Sequence, residues 1–343
     1  MLLAVALVTA LAGVTRYVGG VSPIIAFVFA TLSLAGLAWI VSFSTEQLGQ
    51  RVSPGATGVM QSTLGNLPEF FVVIFALQAH QRTVAETAIL GSILVNALLV
   101  LGLVIIAGAL RTTDGVMRFS TRLPNDTATL LLMSSFIIIL LGLSHSAGDA
   151  ASHHAKTISI VGAIVLLIVY AVWLRQYLTS DTAPKADDEP ARLSVRLSAT
   201  LLFIAGGASA FVSDWFVHGL QPTIDKLHIS QAFAGLVIVA IAGNAVENVT
   251  GIVLAYKGRS ELAISVVKNS VAQIAAFLYP ALVLVSLLTA TTLTFSLAPV
   301  YIGALLGTAV IVWQITGDGE ATAFEGAALI ATFVVLATVA AFE

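Results

Sequence analysis

The sequence has no cysteine and little charge. Without cysteine, no disulfide can brace the chain, no thiolate can hold a soft metal, and the redox compartment leaves no mark. Charged residues make up only 10% of the 343 residues, against about 25% in a typical soluble domain. Hydrophobic residues make up 58%, and the mean hydropathy is +1.00. Such a chain has too little polar surface to cover its apolar mass in water, so the lipid bilayer is the expected solvent. A net charge of −3 excludes the basic footprint of a nucleic-acid binder. No basic segment precedes the first apolar run, so residues 2–18 read as a span rather than a cleavable signal.

What the sequence does have is a series of apolar runs, each near the roughly 20 residues that cross a bilayer as a helix. Breaks rich in charge, Gly, Pro or Asp place them near 2–18, 22–42, 54–78, 84–110, 127–144, 156–178, 195–218, 231–256, 262–289, 293–314 and 322–342. The runs are continuously apolar rather than alternating, which excludes a membrane β-barrel. The expected fold is an all-α membrane protein of about eleven transmembrane helices. Ten basic residues (Arg51, Arg111, Arg118, Arg122, Arg175, Lys185, Arg192, Arg196, Lys257 and Arg259) fall in loops on the side of Met1, and four (Arg16, Arg82, Lys156 and Lys226) on the other. That bias predicts a cytoplasmic N-terminus and an external C-terminus. Short termini and the lack of a targeting segment favour the plasma (inner) membrane, with an organelle membrane as the alternative. Residues 179–194, with Asp181, Pro184, Asp187, Asp188, Glu189 and Pro190, read as a solvated cytoplasmic linker.

An internal repeat organises the spans. Gly65-Asn66-Leu67-Pro68-Glu69 recurs 178 residues later as Gly243-Asn244-Ala245-Val246-Glu247, and at the same offset Ser92 falls on Ser270 and Val95 on Gln273. The chain then divides into an extra helix (1–20), a five-helix unit (21–178), the linker (179–194) and a second five-helix unit (195–343). An odd number of spans per unit makes the second copy enter from the opposite side. Inverted repeats of this kind place their substrate near the midplane where the copies meet.

The residues there have legible chemistry. Glu69 and Glu247 lie mid-span, where an ionised carboxylate is costly and by default functional. Asn66 and Asn244 stand three residues before them on the same helix face, and Gly65 and Gly243 remove bulk four residues before. Pro68 gives no hydrogen bond to the Leu64 carbonyl, which becomes a candidate ligand. Ser92 with Asn96, and Ser270 with Gln273, add polar stripes from neighbouring spans. This is a set of hard oxygen donors, suited to Ca2+, with no sulfur or imidazole to favour zinc or copper. Burial favours a protonated carboxylate and a bound cation favours an ionised one, so each Glu can trade a proton for a share of the ion.

These motifs resemble the cation/proton exchanger branch of the calcium/cation antiporter superfamily. The likeness rests on the paired Gly-Asn-x-x-Glu motifs, on Gly91-Ser92-Ile93-Leu94-Val95-Asn96, on Thr45-Glu46-Gln47, on Gln273-Ile274, and on Asp318-Gly319 with Glu325-Gly326. The resemblance implies a Ca2+/H+ antiporter with Glu69 and Glu247 as the principal binding residues and no cofactor. Its partners would be the cation, the proton and the lipid bilayer. Asn248 stands where the branch usually has His, Asn269-Ser270-Val271 where it usually has Gly-Ser-Ser, and Val95 where Ser is common, so Na+ or K+ remain alternative substrates.

Other readings are weaker. Glu46 is a gating carboxylate or a plain interfacial charge. Lys268 points away from Ser270 around the helix and is expected to snorkel to the interface, the alternative being a fixed internal counter-charge that changes the stoichiometry. His145, Asp149, His153 and His154 read as a surface turn rather than a zinc site. An intramembrane metalloprotease lacks its His-Glu-x-x-His signature, and an ion channel does not need duplicated mid-membrane carboxylates.

Overall fold

The computed structural model describes residues 1–18, 20–49, 64–179 and 192–343; within these, the side chains of residues 49, 122–124, 178, 179, 246 and 247 are outside the described set. Among the described residues twelve helices are labelled in chain order: α1 (Leu2–Tyr17), α2 (Pro23–Gly49), α3 (Leu67–Gln78), α4 (Arg82–Ala109), α5 (Arg122–Ala147), α6 (Ala155–Thr179), α7 (Val195–Leu227), α8 (Gln231–Gly243), α9 (Ala245–Tyr256), α10 (Ser260–Leu288), α11 (Pro299–Thr316) and α12 (Ala323–Ala341). Eight of the described helices are long and apolar enough to cross a membrane, nine if the bent pair α8 and α9 counts as one span, while α1 and α3 are shorter apolar helices. The first residues of the expected span 54–78 and most of the linker lie outside the described residues.

The chain is a multi-pass membrane protein, and its packing shows why. Leu3, Leu7, Phe136, Leu140, Phe203, Phe211, Trp313 and Val335 are large, apolar and exposed on the outside of the bundle. In water such a surface would be an aggregation patch; against lipid chains it is the expected exterior. Polar side chains collect inside instead, where Ser33, Ser44, Ser92, Asn96, Ser134, Ser209, Ser213 and Asn244 are buried.

Helix boundaries depart from the sequence reading in places. The expected span 195–218 runs on to Leu227 with Pro222 inside it. Its Pro lies in the last turns, where loss of one hydrogen bond is tolerated. The expected span 293–314 starts only at Pro299, and Ser194, Ser230 and Thr322 cap the N-termini of α7, α8 and α12 with their hydroxyls.

Two antiparallel helices, α2 and α7, lie along each other. Lys226 reaches Ser22 at one end (3.3 Å), Phe27 and Phe216 meet at 4.8 Å between ring centroids, and at the other end the Gln47 carbonyl accepts from the backbone of Arg192 (2.7 Å) and Leu193 (3.2 Å). Positions 178 apart match here as well: Thr45 donates to the Val41 carbonyl (2.8 Å) and Thr223 to the Gly219 carbonyl (2.7 Å).

A two-stranded antiparallel sheet not expected from the sequence ties two loops at one end of the bundle. Strands β1 (Val116–Arg118) and β2 (Glu320–Thr322) pair Met117 with Ala321, and Arg118 bridges to Glu320 at 3.1 Å. Ser120 also donates its amide to Glu261 at the start of α10 (2.7 Å), and Arg111 stacks over Tyr256. Loops after α4, α9 and α11 therefore share one end.

Candidate ion-binding site

Two helix breaks face each other in the centre of the bundle. The backbone leaves helical geometry at Asn66 (φ −83°, ψ 4°) and again at Asn244 (φ −96°, ψ 8°). Each Asn then becomes the N-cap of a new helix, α3 or α9, and α8 and α9 meet at a bend of 58°. Spans expected to be continuous are thus broken. Pro68 falls in the first turn of α3, where its missing N–H has no helical partner to lose. Glu69 and Glu247 both sit in a first turn, at the positive end of a short helix dipole. The helices that carry Ser92 and Ser270 share a second irregularity, with π-helical turns at Val95–Val100 and Ile274–Leu278. π-Turns of this kind are rare and concentrate at functional sites.

The side chains form one network. Ser92 donates to Glu69 Oε1 at 2.6 Å, and Asn244 Nδ2 donates to the same oxygen. Asn244 Nδ2 also lies 2.9 Å from Ser92 Oγ and 2.9 Å from the Ala240 carbonyl. Its Oδ1 accepts from Asn96 Nδ2 at 2.9 Å, and Asn96 reaches Ser270 Oγ at 3.3 Å. All five residues are buried; Glu69 is 7% exposed and Asn96 1%. A carboxylate among amides and hydroxyls in a water-poor interior gains more from each charge-assisted bond than it would in water.

The sequence reading expected Asn and Glu of one motif to act together on one helix face. The structure instead pairs Asn244 of the second motif with Glu69 of the first, because the break at Asn244 turns its side chain across the interface. Gly243 serves the same crossing: a Cβ there would stand 3.0 Å from Cγ and Oε1 of Glu69. Its small size clears space for the other motif's Glu. Helices α4 and α8 are brought together by glycine too, since a Cβ on Gly91 would lie 2.6 Å from Leu236 Cα. A cavity of about 20 Å3 adjoins Glu69 between Pro68, Val72, Ser92, Phe216 and Gly243, space on the scale of one water molecule.

Other expected residues are placed as follows. Asn66 is buried, and Gly65 and Leu64 lie half-buried just before the break. Gln273 is buried with no hydrogen bond to its Oε1 among the described residues. Glu247 belongs to α9, but its side chain is outside the described set. Glu46 is exposed near the end of α2. His153 and His154 fall in a short 3-10 turn (Ala150–His154), and among the described residues no group of three or more His, Cys, Asp or Glu is placed to hold a metal.

Lys268 overturns one expectation. It does not snorkel: it is 2% exposed, and Nζ donates to Thr316 Oγ1 of α11 at 3.1 Å. The Thr316 hydroxyl gives its own proton to the Val312 carbonyl, which leaves it free to accept. Helix α11 closes over the face of α10 that the sequence left open.

Two residues escaped the sequence reading. Ser213 of α7 donates to the Pro68 carbonyl at 3.4 Å and thereby touches the turn that carries Glu69. Asp214 follows it and is half-buried well inside α7. Neither has a counterpart 178 residues away, where Ala35 and Gly36 stand, so the repeat gave no signal for them. The expected span 195–218 placed Asp214 four residues from its end, where a carboxylate draws no notice, and only the extension of α7 to Leu227 puts it well inside a helix.

An apolar helical bundle that encloses a hydrogen-bonded carboxylate between two facing helix breaks defines a polytopic membrane protein with an internal site of ionic size. The chain belongs to the sodium/calcium exchanger protein family, whose model matches residues 22–176 and again 197–342. It is 30% identical to a vacuolar calcium ion transporter of Schizosaccharomyces pombe, over 90% of this chain and 77% of that one. It is 28% identical to the Ca2+/H+ antiporter ChaA of Bacillus subtilis, over 89% of each. Among solved structures, native YfkE superposes with a TM-score of 0.83 at 25% identity, covering 99% of this chain and 98% of the other. The H+/Ca2+ exchanger CAX shares the fold with a TM-score of 0.76, over 97% and 86% of the two chains.

Proposed function

We propose that the protein is a secondary antiporter that exchanges Ca2+ for H+ by alternating access at a midplane site built on Glu69 and Glu247. The observation that carries this reading is the Glu69 carboxylate, buried at a helix break and held by Ser92 and by Asn244 from the facing break. The family match and the Ca2+/H+ antiporters among its relatives support the choice of ions.

In this reading the eleven spans are α1 to α12 with α8 and α9 as one broken span, and the helices after α1 form two inverted five-helix units. Asn66 and Ser270 hold Glu247 as Asn244 and Ser92 hold Glu69, by the pseudo-symmetry of the motifs. Gln273, Asn96 and the Leu64 carbonyl complete the oxygen set, and Glu46 stands at the mouth. Two carboxylates balance one divalent ion or two protons, so a ratio of two protons per Ca2+ keeps the site neutral. The antiparallel pair α2 and α7 rocks against the rest to expose the site to either face. The N-terminus faces the cytoplasm, the C-terminus the outside, and the membrane is the plasma (inner) membrane.

The experiment uses purified protein in liposomes that contain a pH-sensitive dye, with an imposed proton gradient and Ca2+, Na+, K+ or Mg2+ added separately. Proton flux triggered by Ca2+ supports the reading. Flux triggered by Na+ or K+ instead keeps the mechanism and changes the substrate. Ca2+ passage without proton movement would sink the coupling and favour a channel.

A further inference from the structure

A second polar cavity, of about 470 Å3, opens between α3 and α7 on the side of the bundle where α3 ends. Phe75, Gln78 and Gln81 line one wall, and Asp214, His218 and Gln221 the other. The residues on α7 recur at spacings of four and three, so they share one face of the helix. Asp214 is 13 residues before the last residue of α7, about 20 Å along the helix at 1.5 Å per residue.

The charge in this cavity is unbalanced. Among the described residues the Asp214 carboxylate has no ion pair and no hydrogen bond, although His218 stands one turn away. Gln221 is already engaged with Asp225 (2.9 Å) and Gln231 (2.9 Å). Gln81 Oε1 is buried without a hydrogen-bond partner among the described residues. Among the described residues no Lys or Arg lines the cavity. A carboxylate at membrane depth is stable only beside water or a counter-ion, and here the cavity supplies room for both. Ser213, next to Asp214 in α7, bonds the Pro68 carbonyl beside Glu69, so one stretch of this helix borders both the vestibule and the turn that carries Glu69. Between the two lie apolar walls, with Val72, Ile89 and Phe216 around the inner cavity.

We infer that this vestibule is an antechamber site for a hydrated divalent cation, held by Asp214 with the side-chain oxygens of Gln78 and Gln81, from which the ion passes to or from Glu69 on the external side. The inference rests on the antiport reading for its direction but not for its binding. One carboxylate and water ligands give an affinity on the order of 10⁻³ M, weak enough to release the ion inward. A single fixed charge in a narrow mouth acts mainly on the rate of capture. Its loss therefore changes the apparent affinity on one face and leaves the maximal rate alone.

The test measures Ca2+-driven proton flux in right-side-out membrane vesicles, where the vestibule faces the bath, and in everted ones, where it does not. Asp214→Asn is expected to raise the apparent KM for Ca2+ about tenfold in right-side-out vesicles only, with the maximal rate kept, and Asp214→Glu to restore it. Asp214→Ser serves as a second variant should the Asn variant fail to fold. An equal effect on both faces, or none on either, overturns the inference. A binding measurement separates this failure from that of the antiport reading: in detergent, protein with Glu69→Gln and Glu247→Gln should keep one weak site for radiolabelled Ca2+ that Asp214→Asn removes. If the wild type exchanges no ion but this weak site is found, the antiport reading falls and the antechamber stands. If no weak site is found, the antechamber falls.

Discussion

Asn244 donates its side-chain amide to the carboxylate of Glu69, 175 residues away in the chain, and this bond joins the two helix breaks. It makes the pocket of one carboxylate depend on the opposite motif.

Removing the bond gives the first prediction. A hydrogen bond to a charged group contributes about 1.5–3 kcal/mol, which corresponds to roughly a ten- to hundredfold change in affinity. Asn244→Ala is expected to raise the KM for the transported cation by that factor in proteoliposomes. Ser92→Ala, which removes the second donor to the same oxygen, should act in the same direction. A KM unchanged in both variants would mean that the network is only structural.

Glu69→Gln and Glu247→Gln are each expected to abolish coupled exchange while the protein still elutes as a single folded species in size-exclusion chromatography. The amide keeps the shape of the side chain but can neither release a proton nor offer charge to a cation. Near-normal flux in either variant would remove that residue from the mechanism.

Close helix crossing at glycine predicts a stability effect separate from transport. Gly91→Ala places a methyl against the Leu236 backbone, and overpacking of this kind costs about 1–3 kcal/mol. A thermal melt in detergent should show a clear loss. Gly243→Ala meets the Glu69 side chain instead, at 3.0 Å, and should reduce transport more than it lowers the melting temperature.

Lys268→Met tests the buried ammonium. With one hydroxyl acceptor and no carboxylate within ion-pair distance among the described residues, the charge carries a large desolvation cost and little compensation. Replacement of a poorly compensated buried charge by an apolar side chain of similar volume is neutral or stabilising. The melting temperature should stay or rise, and cation preference should be unchanged. A large fall would reveal an anionic partner for Lys268.

The parts of the site legible in the sequence were those written twice or placed where polarity is costly. Glu69, Asn244, Ser92 and Asn96 were found because an apolar background makes each polar residue conspicuous and the duplicated motif marks two of them. Their pairing was not legible, because helical periodicity reports which residues share a face and says nothing about a break that turns Asn244 toward another helix. Periodicity likewise assumed a free face for Lys268, where α11 packs. The short β1–β2 pairing was missed because three residues carry almost no alternation signal, and its partners are far apart in the chain.

By itself the sequence determined the solvent and the helical class and made the polar residues of the interior conspicuous, since composition and local hydrophobic runs decide what a bilayer accepts. Tertiary structure decided which side chains meet: Asn244 on Glu69, Asn96 on Ser270, Lys268 on Thr316, and Asp214 on an open vestibule. Those relationships depend on the crossing of helices at Gly91 and Gly243 and on the breaks at Asn66 and Asn244. They are set by packing between segments distant in the chain, for which no local pattern carries the information.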